Sequence, residues 1–379
     1  MKKIIFTNIA KDCFKFFLLT ILTIGTIIWV LQAVNYLDFV VQDGHGLLVY
    51  FNYTLLNFPK IISRLFPFAL FISITYILIK YENYNELVIF WNIGINKIRF
   101  INFFIKISFL FVLLNLILAS IIAPSSQYKA RSFIKNSNLD FFESALKPKK
   151  FNDLVNNLTI YFEEKNEDGE LKNIFLKEKT NSNSYQITYG KTGVSKLYGN
   201  KKMLTLYDGK SMINDNGKLS EFKFTDIDID ISKYSSRSTT SPKNQETSTK
   251  QMIQCIFILH KERIGETTLI SSRNITNCTI RNLENIFKEL YGRLIKPFYN
   301  TILIMIALLL ILKSKDSYDF RIYKFKIYTF GFLFILFIES SSKLVGTNLL
   351  YNLFVFTLPI FLFFLIYIYF WTNLKIKKQ

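Results

Sequence analysis

The chain has 379 residues, half of them hydrophobic, with a formal charge of +19 and only three cysteines. That balance points either to a nucleic-acid binder or to a membrane protein, and it excludes a small disulfide-framed scaffold. Long apolar runs concentrate in residues 1–123 and 297–372, around a stretch rich in Lys, Asn, Ser and Asp.

In chain order, the first apolar run follows the basic start Met1-Lys2-Lys3. It is too long for the core of a cleaved leader and lacks a small-x-small site. A helix needs about 20 mostly apolar residues to cross the hydrocarbon core. Phe16–Val34, Ile61–Ile79 and Phe100–Ala123 meet that length, and Pro297–Leu312, Phe325–Lys343 and Leu350–Trp371 repeat the pattern after the polar stretch. The expectation is an α-helical membrane protein with six transmembrane helices, arranged three plus three around an insert. In the connection between spans two and three, residues 81–94, Glu82 and Glu86 are four apart and so share a helical face, while Leu87, Phe90 and Trp91 make an apolar patch. A short amphipathic helix ending at Gly94 is expected there. Its acidic tip suits a cytoplasmic protein partner better than a lipid surface, which favours Lys and Arg.

The insert, 124–296, changes period. Leu158–Phe162, Ile174–Leu176, Tyr185–Thr188, Met203–Tyr207 and Phe222–Phe224 alternate as strands, with turn chemistry at Glu167-Asp168-Gly169, Tyr207-Asp208-Gly209 and Asn214-Asp215-Asn216-Gly217. Short strands at this spacing suggest an all-β sandwich or jelly roll over about 151–232. A Ser/Thr-rich linker, 235–249, and a helical return, 250–296, follow. Cys255 and Cys278 are the one pair that could bridge, and their spacing alone leaves the matter open.

Basic residues orient the spans. Sixteen of those outside 124–290, from Lys2 and Lys3 through Lys97, Arg99, Lys106 and Lys313 to Lys378, fall on one side. Five, Lys60, Arg64, Arg293, Lys296 and Lys343, fall on the other. The positive-inside rule then places both termini in the cytoplasm and the insert outside. Most of the net charge is thereby topological, and no nucleic-acid partner is required.

Catalytic signatures are sparse. His45 and His260 lie in different regions without metal-ligand spacing, and no metal site is expected. Gly190-Lys191-Thr192 resembles the end of a phosphate-binding loop, but the position that must be Gly is Tyr185. Glu339, inside the fifth apolar run, has Lys343 four residues on, a spacing that allows mutual pairing or contact with a substrate. Glu289 and Arg293, also four apart, read as a structural ion pair where the insert re-enters the membrane.

Taken in order, these features resemble the LptF/LptG family of lipopolysaccharide-export permeases. The residues that carry the resemblance are Gln32–Asp38, Asp43-Gly44, Pro59, Leu65–Ala69, the 81–94 connection with its central Glu86, and Glu289–Leu294 with Pro297. The last of these is closer to the F-type than to the G-type subunit. The resemblance implies a non-catalytic subunit that extracts lipopolysaccharide from the outer leaflet of the inner membrane. It implies an LptG-like second permease, a dimeric LptB-like ATPase that holds ATP and magnesium, and LptC-like and LptA-like periplasmic jelly-roll proteins. It assigns Glu82, Glu86, Leu87, Phe90, Trp91 and Gly94 to ATPase coupling. Gln32, Tyr36, Glu339 and Lys343, with Phe175 and Tyr207 inside the β domain, are assigned to lipid. In one departure, late span one carries Gln32, Asn35 and Tyr36 where such proteins often carry basic residues. The alternatives are a G-type paralogue, another lipid-exporting permease, a membrane receptor or a lipid-modifying enzyme.

Overall fold

In the computed structural model, residues 2–37, 47–133, 148–155, 158–166, 169–179, 184–198, 201–215, 217–230, 243–264 and 277–376 are described. They divide into two units.

The first unit is helical and holds Met1–Gln32, Leu56–Lys129 and Ser241–Gln379. Its helices are α1 (Lys2–Asn35), α2 (Leu47–Asn83), α3 (Glu86–Asn92) and α4 (Lys97–Ile117), then α5 (Thr249–Ile264), α6 (Leu283–Leu290), α7 (Tyr299–Leu308), α8 (Phe320–Ser341) and α9 (Leu349–Ile376). The described parts of the helical return therefore belong to the helical unit. Among the described residues, five helical runs are long and apolar enough to cross a membrane: Ile4–Asn35, Leu47–Asn83, Lys97–Phe133, Ile280–Leu312 and Tyr351–Leu374. The fifth expected span is present as α8. It has the length, but Arg321, Lys324, Lys326 and Glu339 keep it out of that apolar set.

The chemistry of α7 explains its place. Every residue from Tyr299 to Leu308 is buried, so the helix has no face left for lipid, and it packs against α4, α8 and α9. A helix apolar around its whole circumference belongs at the centre of a bundle. Its polar members are held inside: Ser108 Oγ donates to Thr301 Oγ1 at 3.1 Å, and the Tyr291 hydroxyl meets those of Tyr299 and Ser341 at 3.0 Å each. Gly331 on α8 closes the packing against α2, because a β-carbon there would overlap the Phe71 ring. This glycine brings two helices together.

Two π turns interrupt the long helical runs, Leu118–Ile122 after α4 and Tyr291–Ile295 after α6, and they pack against each other. Such widened turns re-aim side chains and are frequent at functional positions.

The second unit comprises Ala33–Leu55 and Ala130–Thr240. Its sheet has the order β1-β2-β4-β5-β6-β7, all antiparallel, with β3 on β4. The strands are β1 (Asn152–Val155), β2 (Leu158–Tyr161), β3 (Glu164–Lys165), β4 (Leu171–Lys179), β5 (Tyr185–Tyr198), β6 (Lys201–Asp215) and β7 (Lys218–Asp230). Sequential order is that of a meander, and no Greek-key crossing occurs among the described strands. Leu158, Ile160, Phe162, Leu171, Ile174, Leu176, Leu204 and Leu206 form its buried face.

The turn expected at Tyr207-Asp208-Gly209 is absent. Asp208 adopts φ +48°, yet β6 continues through it, with Tyr207 opposite Thr192 and Gly209 opposite Gly190. The two glycines face each other across the ladder, so the chains tolerate the local kink. The real turn is the one closing β6 on β7, where Asp215 pairs with Lys218 and Gly217 has φ +88°. Gly190-Lys191-Thr192 lies inside β5 and makes no loop. The expected turn at Glu167-Asp168-Gly169, most of the 235–249 linker, and Asp38, Asp43 and Gly44 fall at least partly outside the described residues.

Candidate functional site

The connection between α2 and α4 departs from the expected amphipathic helix in an informative way. The α2 helix runs on to Asn83, so Glu82 belongs to it and not to the loop. Glu82 is buried and accepts the backbone N–H of Lys315 at 2.8 Å, which fixes the chain entering α8. It is a structural cap, and the shared acidic face with Glu86 does not exist. Asn85 at φ +58° breaks the helix, and α3 begins at Glu86.

The other end of α3 is closed by a Schellman motif: Ile95 N–H donates to Phe90 O at 3.1 Å and Gly94 N–H to Trp91 O at 3.0 Å. Gly94 has φ +81°, a conformation that costs a residue with a β-carbon about 1–2 kcal/mol. Leu87 and Phe90 are buried in the bundle, and the Trp91 ring sits edge-on to Phe100 at 5.5 Å. The residues expected to form a docking patch therefore anchor α3 to its own chain. What α3 leaves exposed is Tyr84, Val88, Ile89 and Ile93. Glu86 is half-buried beside them, and burial pushes its carboxyl up from the ordinary range, against the opposing pull of Lys80. A partly desolvated carboxylate next to exposed apolar residues gains from a cationic partner.

At the far end of the same unit, the helical run Ile280–Leu312 is organised by Arg293 in the second π turn. Its guanidinium is 3% exposed as a residue and uses the whole fork. Nε donates to Glu289 Oε1 at 3.0 Å; Nη1 to Thr247 O at 2.8 Å and Thr249 Oγ1 at 3.2 Å; Nη2 to Asn244 O at 3.3 Å and Gln245 O at 3.0 Å. The end of the Ser/Thr-rich stretch is thus wrapped on one arginine, a geometry only the planar five-donor group supports.

A cavity of about 770 Å³ opens beside this hub, lined by Lys60, Arg64, Lys243, Lys288 and Lys296 with Glu289 and Glu339. Lys60 Nζ donates to Gln245 Oε1 at 2.7 Å, and Lys296 Nζ to Glu339 Oε2 at 2.7 Å. Glu339 is therefore paired across helices, and the i,i+4 partnership with Lys343 is not formed; α8 ends at Ser341, which leaves Lys343 exposed in the following turn. Asn115 lines the same cavity with its buried Oδ1 unsatisfied. Lys60, Arg64, Lys296 and Asn115 were not singled out by sequence reasoning as members of one site. The signal available was that Lys60, Arg64 and Lys296 belong to the minority set of basic residues at the span ends.

Gln32 lies half-buried in α1, and Tyr36 packs its ring edge-on to Tyr53 at 5.0 Å. Phe175 and Tyr207 do not point into the apolar face of the sheet. Their neighbours Ile174, Leu176, Leu204 and Leu206 fill it, while Phe175 meets Phe151 and Tyr207 accepts from Lys196 Nζ at 3.0 Å. The kinks at Asn173 (φ +50°) and Asp208 shift which residues face inward. Cys255 and Cys278 are joined by a disulfide between α5 and the approach to α6; Cys13 is a buried free thiol.

Apolar helical runs enclosing a central buried helix, with an antiparallel sheet inserted between the third and fourth runs, define a polytopic membrane protein carrying an inserted β region. The chain belongs to the lipopolysaccharide export system permease family LptF/LptG, which it matches over residues 8–373. It is also 22% identical over 311 residues to an uncharacterized protein of Rickettsia prowazekii (strain Madrid E), covering 81% of each chain.

Proposed function

We propose that this chain is an F-type permease subunit of an ATP-driven exporter that takes lipopolysaccharide from the outer leaflet of the inner membrane and passes it to a periplasmic jelly-roll bridge. The observation that carries this reading is the family match across residues 8–373, over a helical bundle with one inserted sheet. In it α8 is the fifth of six spans and α9 the sixth, both termini are cytoplasmic and the sheet is periplasmic. A G-type subunit completes the channel, and ATP and magnesium belong to a cytoplasmic ATPase dimer. The α3 helix is the coupling element, its Schellman cap and buried Leu87 and Phe90 making it stiff enough to pass motion into α2 and α4. Among the described strands β7 ends the sheet, and its 13-residue edge supports addition of a neighbouring strand, with Lys218 and Lys223 guarding against unspecific pairing.

Mild-detergent purification of the tagged chain, with mass spectrometry of what accompanies it, tests the reading. A cytoplasmic ATPase and a second six-span permease are the expected companions, and a chain that emerges alone would overturn it. Ile89→Glu and Glu86→Lys, which alter only the presented side of α3, should each reduce the recovered ATPase about tenfold or more. Unchanged recovery in both would remove α3 from the coupling role.

The disulfide supports the orientation, since such bonds persist in oxidising compartments. Alkylation of the denatured, unreduced protein from cells should label one thiol, Cys13, and reduction should expose the other two. Three thiols labelled without reduction would place Cys255 and Cys278 on the reducing side.

A further inference from the structure

A second cavity lies at the opposite end of the helical unit from Arg293, near the α3 connection. It measures about 1300 Å³ and is bordered by α1, α4, the end of the Ile280–Leu312 run, the start of α8 and the last turns of α9. We propose that it holds an anionic phospholipid of the cytoplasmic leaflet, with its phosphate between Arg99 and Lys106 on α4.

Charge is the first argument. Four cations line the cavity, Lys97, Arg99, Lys106 and Lys313, and no carboxylate does. Two of the four are engaged: Lys97 Nζ donates to Ile311 O at 3.0 Å, and Lys313 Nζ lies 3.9 Å from Asp319 and 5.1 Å from the Tyr323 ring centroid. Arg99 and Lys106 are exposed and form no ion pair among the described residues. Seven residues apart, they share one face of α4, about 10 Å from each other along its axis.

Depth is the second. Lys106 sits nine residues into a helix that begins at Lys97, roughly 13 Å further along. A cation carried that far down a spanning helix is costly unless an anion or water meets it. The rest of the wall is largely aromatic: Phe103, Phe363, Phe364, Tyr367 and Trp371 line it, and amphipathic Tyr and Trp rings are those that border lipid headgroups. The Tyr367 hydroxyl donates to Asn102 Oδ1 at 3.3 Å, which steadies α9 against the α4 face. Cations at the mouth over an apolar wall describe an amphiphile with a phosphate head. An acidic loop of a soluble partner would satisfy the charges and leave the aromatic wall unfilled. Basic pockets between spans on the cytoplasmic side are general binding places for anionic headgroups.

The proposal rests on the orientation given above, and it concerns a resident lipid in the leaflet opposite the exported one. Its test needs no partner. The full chain and the Arg99→Gln/Lys106→Gln double variant are purified in the same mild detergent, and bound lipids are quantified after extraction. Lys60→Gln/Arg64→Gln, at the far end of the unit, is the positional control. The wild-type chain and the control should retain phosphatidylglycerol or cardiolipin well above its bulk proportion, and the double variant should lose most of that enrichment, about fivefold or more, with an unchanged thermal midpoint. Equal retention by the double variant would overturn the proposal, as would enrichment of a zwitterionic phospholipid or of lipopolysaccharide itself. Loss of enrichment in the control as well would overturn it too, since the effect would then be one of net charge. A chain that lacked its ATPase yet kept the phospholipid would sink the exporter reading and leave this one standing.

Discussion

Arg293→Met should destabilise the Arg293 end of the helical unit by about 3 kcal/mol and free the segment around Lys243 for cleavage. The change keeps the apolar stem but removes five donors at once, leaving the Glu289 carboxylate and the carbonyls of Gln245 and Thr247 without the arginine, while Asn244 O keeps only its bonds from Thr247. Breaking a buried charge pair by deleting one member costs about 3–5 kcal/mol. The lower end applies here, because the adjoining cavity admits water to some of the orphaned acceptors. Arg293→Lys keeps the charge but can satisfy only part of the fork, so it should fall between the two. Limited trypsin digestion at Lys243 and the thermal midpoint in detergent both report the effect. A variant with the wild-type cleavage rate and midpoint would show that the arginine does not hold this segment.

The second large effect is expected in the sheet. A β-carbon at Gly209 would overlap the Tyr189 carbonyl oxygen and the Phe224 ring. The ring can turn away; the carbonyl belongs to the β5–β6 ladder and cannot move without breaking it. Gly209→Ala should therefore cost about 2–3 kcal/mol, in the range of overpacked cores or slightly above. Gly217→Ala is the matched comparison: its φ of +88° makes alanine unfavourable, but nothing lies within 4 Å of the added carbon. About 1 kcal/mol is expected there. Hydrogen exchange of the β5 and β6 amides in the full chain separates the two. Equal acceleration in both variants would mean that the close approach at Gly209 contributes nothing beyond backbone preference.

How much of this was readable beforehand depended on range. The spans announce themselves through run length and the strands through periodicity, which each short segment carries alone. Features that failed were decided by a local break in one case and by distant neighbours in the others. Glu82 and Glu86 share a face only if one helix runs through both, and Asn85 breaks it. Glu339 found Lys296, 43 residues away, where the local pattern offered Lys343. Asp208-Gly209 has turn composition, but a glycine across the ladder at position 190 lets the strand continue through it. The Ser/Thr-rich stretch carried no hint that its last residues wrap an arginine, because main-chain carbonyls leave no trace in composition. The exposed face of α3 was misread for a related reason: which of its apolar residues dock inward depends on where Phe100 stands.

The complete burial of α7 has a consequence for how the protein is made. Of the three helices that pack against it, α4 leaves the ribosome first, and residues 134–298 must be synthesised before Tyr299 appears. At 5–20 residues per second this takes roughly 8–33 s. For that interval the groove that will receive α7, with Ser108 at its floor, faces lipid with nothing to fill it. The other two walls, α8 and α9, are made later still, so the central helix has to be in place before the last two can close on it.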